Sequence, residues 1–422
     1  MARVLLVGPP FSGHLHPLIA MARRLRDEHD VLVVSTEKVR PEIEAAGLRA
    51  QSILRGADAA IEAIAEPPYA VRSNPLMLNR QLKANVALMP RLHGELGEIF
   101  DTFHPSLVIA DFVVPLAGLV AKARKIPWWT SLPSPCALET ADGPPSYLGG
   151  LRPLSGSAGR LRDASGRALV RLFKRAIFAL YGRELAWTGL RSPYRSDGSE
   201  AIYSDERILV PAVQELEFAQ RWPATVRFVG PLYYSPARND ASDAVNEATS
   251  DGVNDAFGGP RVLVTLGTHL PRFKEAMAEA TRRAARSLPH VTFHFTDGNA
   301  GSARTETDAN FTRYSYVLYN SAVRSYDLVV HHGGTGIVNT CLRDGVPALV
   351  HPVDYDQFDV AARIVHAGIA RRLRSAGDLA SNVAAALNDT ALHDATRRFA
   401  EITARYNAAE TIAEMVRDLK LA

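Results

Sequence analysis

Residues 327–357 read DLVVHHGGTGIVNTCLRDGVPALVHPVDYDQ. The apolar run Leu328–Val330 predicts a short buried strand. It ends in His331 and His332 and a loop of small residues, Gly333, Gly334, Thr335 and Gly336. Ile337, Val338, Cys341 and Leu342 then fall at helical spacing. A second strand, Ala348–His351, opens into Pro352–Gln357, where Asp356 and Gln357 are suited to hold hydroxyl groups. A strand, a Gly-rich loop and a helix start together present backbone N–H groups to a phosphate. Glycines let the backbone approach closely, and a helix N-terminus favours an anion. His331 and Thr335 add side-chain donors. Two glycines at a strand–helix turn have a purely steric explanation as well. The whole order, strand, HHGGTG, helix, GVP, strand, DQ, is what points to a ligand.

That order resembles the nucleotide-sugar signature of the family 1 glycosyltransferases. DQFDVAARIVHAGIARRL, from Asp356, continues the likeness to bacterial natural-product and carotenoid glycosyltransferases. The resemblance implies that His331, Gly333, Gly334, Thr335 and Gly336 hold the donor diphosphate, and that Asp356 and Gln357 hold hydroxyls of the donated sugar.

At 422 residues two domains are expected. The formal net charge of +3 gives no argument for a nucleic-acid partner. Cys136 and Cys341 lie far apart with no metal spacing, as reduced cysteines of a cytoplasmic protein would. MARVLLVGPP reads as a first buried strand running into a turn rather than as a signal peptide. Leu107–Ala121 is broken by Asp111 and too short to span a bilayer.

Arg3–Val7, a loop at residues 8–13, a helix over Leu18–Leu25 and a strand over Val31–Ser35 form the opening βαβ of a doubly wound sheet. Gly8 and Gly13 do not have dinucleotide-fingerprint spacing, which disfavours a nicotinamide or flavin enzyme. His14 ends the loop, where an open α/β sheet binds ligands, and a histidine there can take a proton near neutral pH. Alone it would read as a cap or packing residue. GHLHPLIAMARRL resembles the family's N-terminal pattern, which puts the catalytic base on His14 and leaves His16 unassigned. Asp111 closes the buried strand Pro105–Asp111, and a carboxylate there needs a partner. Pairing with a histidine would orient the ring and stabilise its imidazolium; a helix cap is the plainer alternative. The family has an aspartate partner at this strand end, so the resemblance implies a His14–Asp111 dyad.

Leu76–Phe100 reads as mostly helical, and Ile126–Leu132 as a further strand. In 160–191, arginines and Lys174 alternate with leucines and phenylalanines. This reads first as a surface helix whose cations snorkel over a packed apolar face. Residues 160–183 are also a candidate for weak contact with an anionic membrane surface. The polar stretch 235–260 reads as the domain linker.

A second α/β pattern follows: strand Arg261–Leu266, helix Phe273–Leu288, strand Val291–Phe295, and a terminal helical run, Ala391–Leu419. By resemblance, Thr268 in TLGT meets the diphosphate and the loop at Tyr316 and Val317 meets the nucleobase, although the family's Pro-Gln is missing there. Ile337 stands where the family often has Ser or Thr. Asn339 stands where many members hold the ribose with a carboxylate. These departures leave UDP and dTDP both open.

The expectation is therefore a GT-B protein, two Rossmann-like α/β domains facing a cleft. Residues 1–234 form the acceptor domain, 261–400 the nucleotide-sugar domain, and 401–422 a helix packing back on the first. The implied activity is inverting, metal-independent transfer of a hexose or deoxyhexose from a UDP- or dTDP-sugar. The acceptor is a hydroxyl or N–H of an apolar or aromatic small-molecule natural product. No cofactor and no nucleic acid take part, and the protein is a cytoplasmic monomer or homodimer. A non-catalytic auxiliary protein of the same fold and a nucleotide-sugar epimerase are the alternatives.

Overall fold

The computed structural model describes residues 1–71, 74–236, 259–269, 271–299 and 305–419. It divides into two units, Met1–Pro236 with Tyr406–Ala422, and Ala237–Arg405. Of the expected linker at 235–260, residues 237–258 lie outside the described residues.

The first unit is built on strands β1 (Arg3–Val7), β2 (Asp30–Ser35), β3 (Arg49–Ser52), β4 (Leu107–Asp111), β5 (Trp128–Ser131), β6 (Arg207–Val210) and β7 (Val226–Phe228). They form one parallel sheet in the order β3-β2-β1-β4-β5-β6-β7. The runs VLLV, VLVV and LVIA are continuously apolar because helices cover both faces. On one face, α1 (Ser12–Leu25) packs Leu15, Leu18, Ile19 and Ala22 against β1 and β2. On the other, α4 (Pro75–Phe103) and α5 (Pro115–Ala123) close over Leu5, Val7, Val108 and Trp128. Short helices α2 (Arg40–Ala45) and α3 (Asp58–Ala65) lie between them in the chain. At Gly118 helix and strand touch: a Cβ there would lie 2.0 Å from the Trp128 ring. The strand order reverses between β1 and β4, so their carboxyl ends sit side by side, the usual ligand position of such sheets.

Three expectations change. α1 starts at Ser12, not Leu18, and carries Pro17 inside it. The apolar spacing marks the helix only from Leu18 onward, whereas Pro17 stands inside it. His14 therefore stands in the first helical turn and not in a loop. β3 (RAQS) has no apolar run and was not expected.

The third change concerns α6 (Gly156–Leu180), which is followed by the one-turn α7 (Gly182–Leu185). α6 was expected to bury its apolar face. Instead Leu161, Leu169, Leu172 and Leu180 are exposed, and Gly159 and Asp163 are its buried residues. The polar face is held inward by charge. Lys174 Nζ lies 2.8 Å from Glu139 and 2.5 Å from Glu200, and Arg171 donates to Glu139 at 2.9 Å. Arg167 donates to the Gly143 carbonyl.

The second unit has strands β8 (Arg261–Thr265), β9 (Thr292–Thr296), β10 (Thr305–Asp308), β11 (Phe311–Tyr314), β12 (Leu328–His331), β13 (Ala348–Val350) and β14 (Ala370–Arg372). Their order is β10-β11-β9-β8-β12-β13-β14, parallel except for the β10–β11 pair at the edge. Helices α8 (Lys274–Ser287), α9 (Tyr319–Ala322), α10 (Thr335–Asp344), α11 (Gln357–His366), α12 (Leu379–Leu387) and α13 (Thr390–Thr403) complete it. The order turns between β8 and β12, which sets the turn after Thr265 beside the loop after His331.

The expected terminal run breaks at residues 404–407 into α13 and α14 (Ala408–Asp418). α14 belongs to the first unit, where Ala408, Ile412, Ala413 and Val416 join the core beneath α1. Cys136 and Cys341 are free and buried. No helix among the described residues is long and apolar enough to cross a membrane.

Candidate functional site

In the first unit, β4 delivers Asp111 and α1 delivers His14 to the adjoining strand ends. His14 Nδ1 lies 3.1 Å and 3.2 Å from the two carboxylate oxygens of Asp111. Asp111 is fully buried, and its Oδ1 also accepts the Val113 N–H at 3.0 Å. A buried carboxylate facing Nδ1 holds the ring proton there and leaves Nε2 as the basic nitrogen. Phe112 stacks on the ring at 5.4 Å between centroids, and Phe11 meets it edge-on at 6.2 Å. The imidazole is thus fixed in orientation while its side chain stays 23% exposed. His16, unassigned from the sequence, pairs with Glu42 at 2.8 Å.

In the second unit, three turns meet. Gly333 sits at φ +97°, where a side chain would be strained, and its N–H donates to His331 Nδ1 at 3.0 Å. Gly334 is the N-cap of α10, and no side chain caps that end, so its first N–H groups are available to an anion. Thr335 and Gly336 open the helix, half-buried and exposed respectively.

The Thr268 side chain is exposed, and its carbonyl accepts from Lys274 Nζ at 3.2 Å. Lys274 also donates to the Asp297 carbonyl, so one ammonium ties the turn after β8 to the turn after β9. Gly267 and Gly298 donate their N–H groups to Thr265 and Thr296 in the same manner, at 3.0 Å and 3.3 Å.

Comparisons with known proteins agree with this geometry. Residues 298–420 match the family described as erythromycin biosynthesis protein CIII-like, C-terminal domain. The chain is 25% identical over 403 residues to 4'-demethylrebeccamycin synthase of Lentzea aerocolonigenes, covering 92% of each chain. It is 26% identical over 443 residues to O-mycaminosyltylonolide 6-deoxyallosyltransferase of Streptomyces fradiae, covering 99% of this chain and 97% of that one. Its fold matches a Streptomyces sp. SF2575 glycosyltransferase, SsfS6, solved with thymidine diphosphate, at a TM-score of 0.68 and 19% identity over 99% of this chain and all of that one. The chain is similar along nearly its whole length to bacterial natural-product glycosyltransferases, and its fold is the GT-B fold.

Within this fold the expected donor residues take unequal positions. His331 was expected to meet the diphosphate with its side chain. Instead it is 1% exposed, receives the Gly333 N–H and is among the residues lining a small apolar cavity beside α10 and α11. It supports the loop from beneath.

The ring that packs against the turns is that of His332. Cβ atoms on Gly334 and Gly267 would lie 2.5 Å and 2.7 Å from it. His332 was missed because the His-His pair offers two candidates, and the resemblance pointed to the first. Val317 is a core residue, 1% exposed, so only its backbone is left for a base; Tyr316 beside it is half-buried.

Gln357 Oε1 accepts from the Val353 and Asp354 N–H groups at 2.9 Å and 3.1 Å, which leaves its amide NH2 for a ligand. Asp356, half-buried, stands at the N-cap of α11, and Tyr355 before it takes a left-handed φ of +54°. Such strain is common where a ligand is held. Asn339 is half-buried in the second turn of α10. Arg272, absent from the sequence reading, reaches Asp354 at 2.9 Å, and Asp354 is fully buried. Among the described residues no three His, Cys, Asp or Glu side chains come together to hold a metal ion.

Burial pushes the imidazoles of His331 and His294 down to about 4. An unfolded histidine titrates near 6.5. Between these values the unfolded chain binds more protons, so the second unit loses stability as pH falls from 6.5 toward 4. Each group contributes about 1.4 kcal/mol per pH unit. Thermal unfolding should therefore be nearly flat above pH 7 and fall steadily below 6.5. His294→Gln should flatten that slope.

Proposed function

We propose that the chain transfers a hexose or deoxyhexose from a nucleotide diphosphate sugar to a hydroxyl or N–H of an apolar or aromatic natural product, with inversion at the anomeric carbon. The observation that carries this is the His14 ring held by buried Asp111 at the carboxyl ends of β1 and β4. His14 Nε2 removes the acceptor proton as the acceptor atom bonds to the anomeric carbon. The bond from that carbon to the diphosphate oxygen breaks, and its electron pair leaves with the diphosphate. Asp111 stabilises the imidazolium, as a buried carboxylate does.

The N–H groups at the start of α10, the Thr268 turn and Thr335 take the leaving charge in this scheme, which routes no step through a metal. Asp356 and the Gln357 amide hold the sugar. The likeness to a 6-deoxyallosyltransferase supports a deoxysugar, and the thymidine diphosphate in the matched structure supports dTDP over UDP as the nucleotide.

Calorimetric titration with dTDP and with UDP, without added metal, tests the donor half. Saturable binding of dTDP, at least tenfold tighter than UDP, is expected. Failure of both to bind would overturn it.

A further inference from the structure

The turn after β8 and the segment between β13 and α11 come from different strands of the second sheet, and one ion pair joins them. Arg272 lies in a 3-10 turn, Pro271–Phe273, between Thr268 and the start of α8. Its guanidinium sits over the Phe273 ring, 4.6 Å from the centroid, and donates from Nη2 to Asp354 Oδ2 at 2.9 Å. Asp354 stands 82 positions further along the chain, and its side chain is fully buried.

A buried carboxylate is costly unless it is both paired and hydrogen-bonded. Arg272 takes one oxygen of Asp354, and the other accepts the Tyr355 N–H at 2.9 Å. That second bond fixes the peptide at which the chain enters its left-handed turn, with Tyr355 at φ +54°. A residue other than glycine keeps this conformation only where its surroundings impose it. Asp356 and Gln357 come next, as the N-cap and first residue of α11. Gln357 returns to the same point, since its Oε1 accepts the Val353 and Asp354 N–H groups. The bonds that shape this loop converge on Asp354, and Asp354 is held from outside the loop by Arg272.

Apolar residues of similar volume stabilise a core at least as well as a buried ion pair. What the pair supplies is direction: it fixes one segment against another. The turn after β8 is already tied one way along the sheet, where Lys274 donates to the carbonyls of Thr268 and of Asp297 after β9. Arg272 ties the same turn the other way, across β12 to the segment after β13.

We propose that Arg272 is a positioning residue for the donated sugar: through Asp354 it holds the loop carrying Asp356 and Gln357 in register with the turn carrying Thr268. This role rests on the reading of residues 353–357 as the sugar site. Arg272 touches no reacting atom in it and acts through Asp354 alone.

Calorimetric titration of the full chain with dTDP, dTDP-glucose and dTDP-rhamnose tests this. Arg272→Leu should weaken the tighter-binding nucleotide sugar at least tenfold and dTDP less than twofold, because dTDP makes no use of the loop. Arg272→Lys keeps the charge without the planar fork and should recover part of the sugar affinity. Arg272→Leu also leaves a buried carboxylate unpaired, so its Tm should fall. Arg272→Leu with Asp354→Asn separates the two effects. Tm should return toward wild type once the charge is gone, while sugar affinity stays low because nothing holds the loop to the turn. Sugar affinity that recovers together with Tm would show a merely structural pair and overturn the proposal. So would unchanged nucleotide-sugar affinity in Arg272→Leu, an equal loss for dTDP, or a wild-type chain that binds dTDP but neither nucleotide sugar. A wild-type chain that binds none of the three overturns the donor reading and this role together.

Discussion

His14→Ala is expected to lower turnover by about 10²- to 10⁴-fold, the usual share of a positioned general base. Nucleotide affinity should stay within about twofold. The two readouts separate because His14 lies in the first unit and the loops proposed to bind the diphosphate lie in the second. The variant should fold: the His14 side chain is partly exposed, and Asp111 keeps the Val113 N–H. Asp111→Asn supplies the second arm. It preserves shape but offers an N–H where the carboxylate accepted, so the imidazole loses both its preferred tautomer and the charge that stabilises its protonated form. It should lower turnover without moving nucleotide affinity, and the alkaline plateau of activity should shift with it. Steady-state rates across pH, beside calorimetry, decide the matter. Wild-type turnover in His14→Ala would remove the base assignment outright.

Gly334→Ala is expected to weaken nucleotide binding about ten- to hundredfold. Its Cβ would lie 2.5 Å from His332 Nε2, against a ring already pressed by the turn at Gly267. Gly267→Ala should do the same, with added backbone strain at φ +76°. Gly298→Ala drives a Cβ to 2.3 Å from the Gly267 carbonyl oxygen, which is backbone and cannot swing away. Overpacking of this kind costs about 1–3 kcal/mol, enough to displace a loop without unfolding a sheet. Two glycines on two different turns, Gly334 and Gly267, thus share one ring, His332, and the loss should be relieved in the pair Gly334→Ala with His332→Ala. Calorimetric affinity for dTDP and UDP is the measurement. Unchanged affinity in Gly334→Ala would show that the glycine serves the turn alone.

Much of this was legible beforehand, for identifiable reasons. The β12–loop–α10 unit was readable because an apolar run, glycines and a helical spacing stand in a row. Asp111 was readable because a carboxylate after LVIA has to be paired, and the pairing found is with His14. What failed depended on contacts remote in sequence. Periodicity shows that α6 is two-faced but not which face is inward. That is decided by Glu139 and Glu200, acids in other segments whose charge outweighs the burial of four leucines. The choice between His331 and His332 turns on which ring Gly267 approaches, and Gly267 comes from a different strand. β10 and β11, an edge pair reading TETD and FTRY, carry no apolar run to mark them.

The position of α14 bears on the order in which the chain can fold as it is made. Most of the first unit leaves the ribosome before the second, yet Ile412, Ala413 and Val416 join the core beneath α1. Domains ordinarily fold in order of synthesis, N-terminal first. Here the nascent first sheet must wait, with the apolar side of α1 and its neighbours uncovered, while the whole second unit is translated. The second unit has its own complete core and can fold ahead of it. A premature stop just before Ala408 would therefore damage the half of the protein farthest from it in sequence.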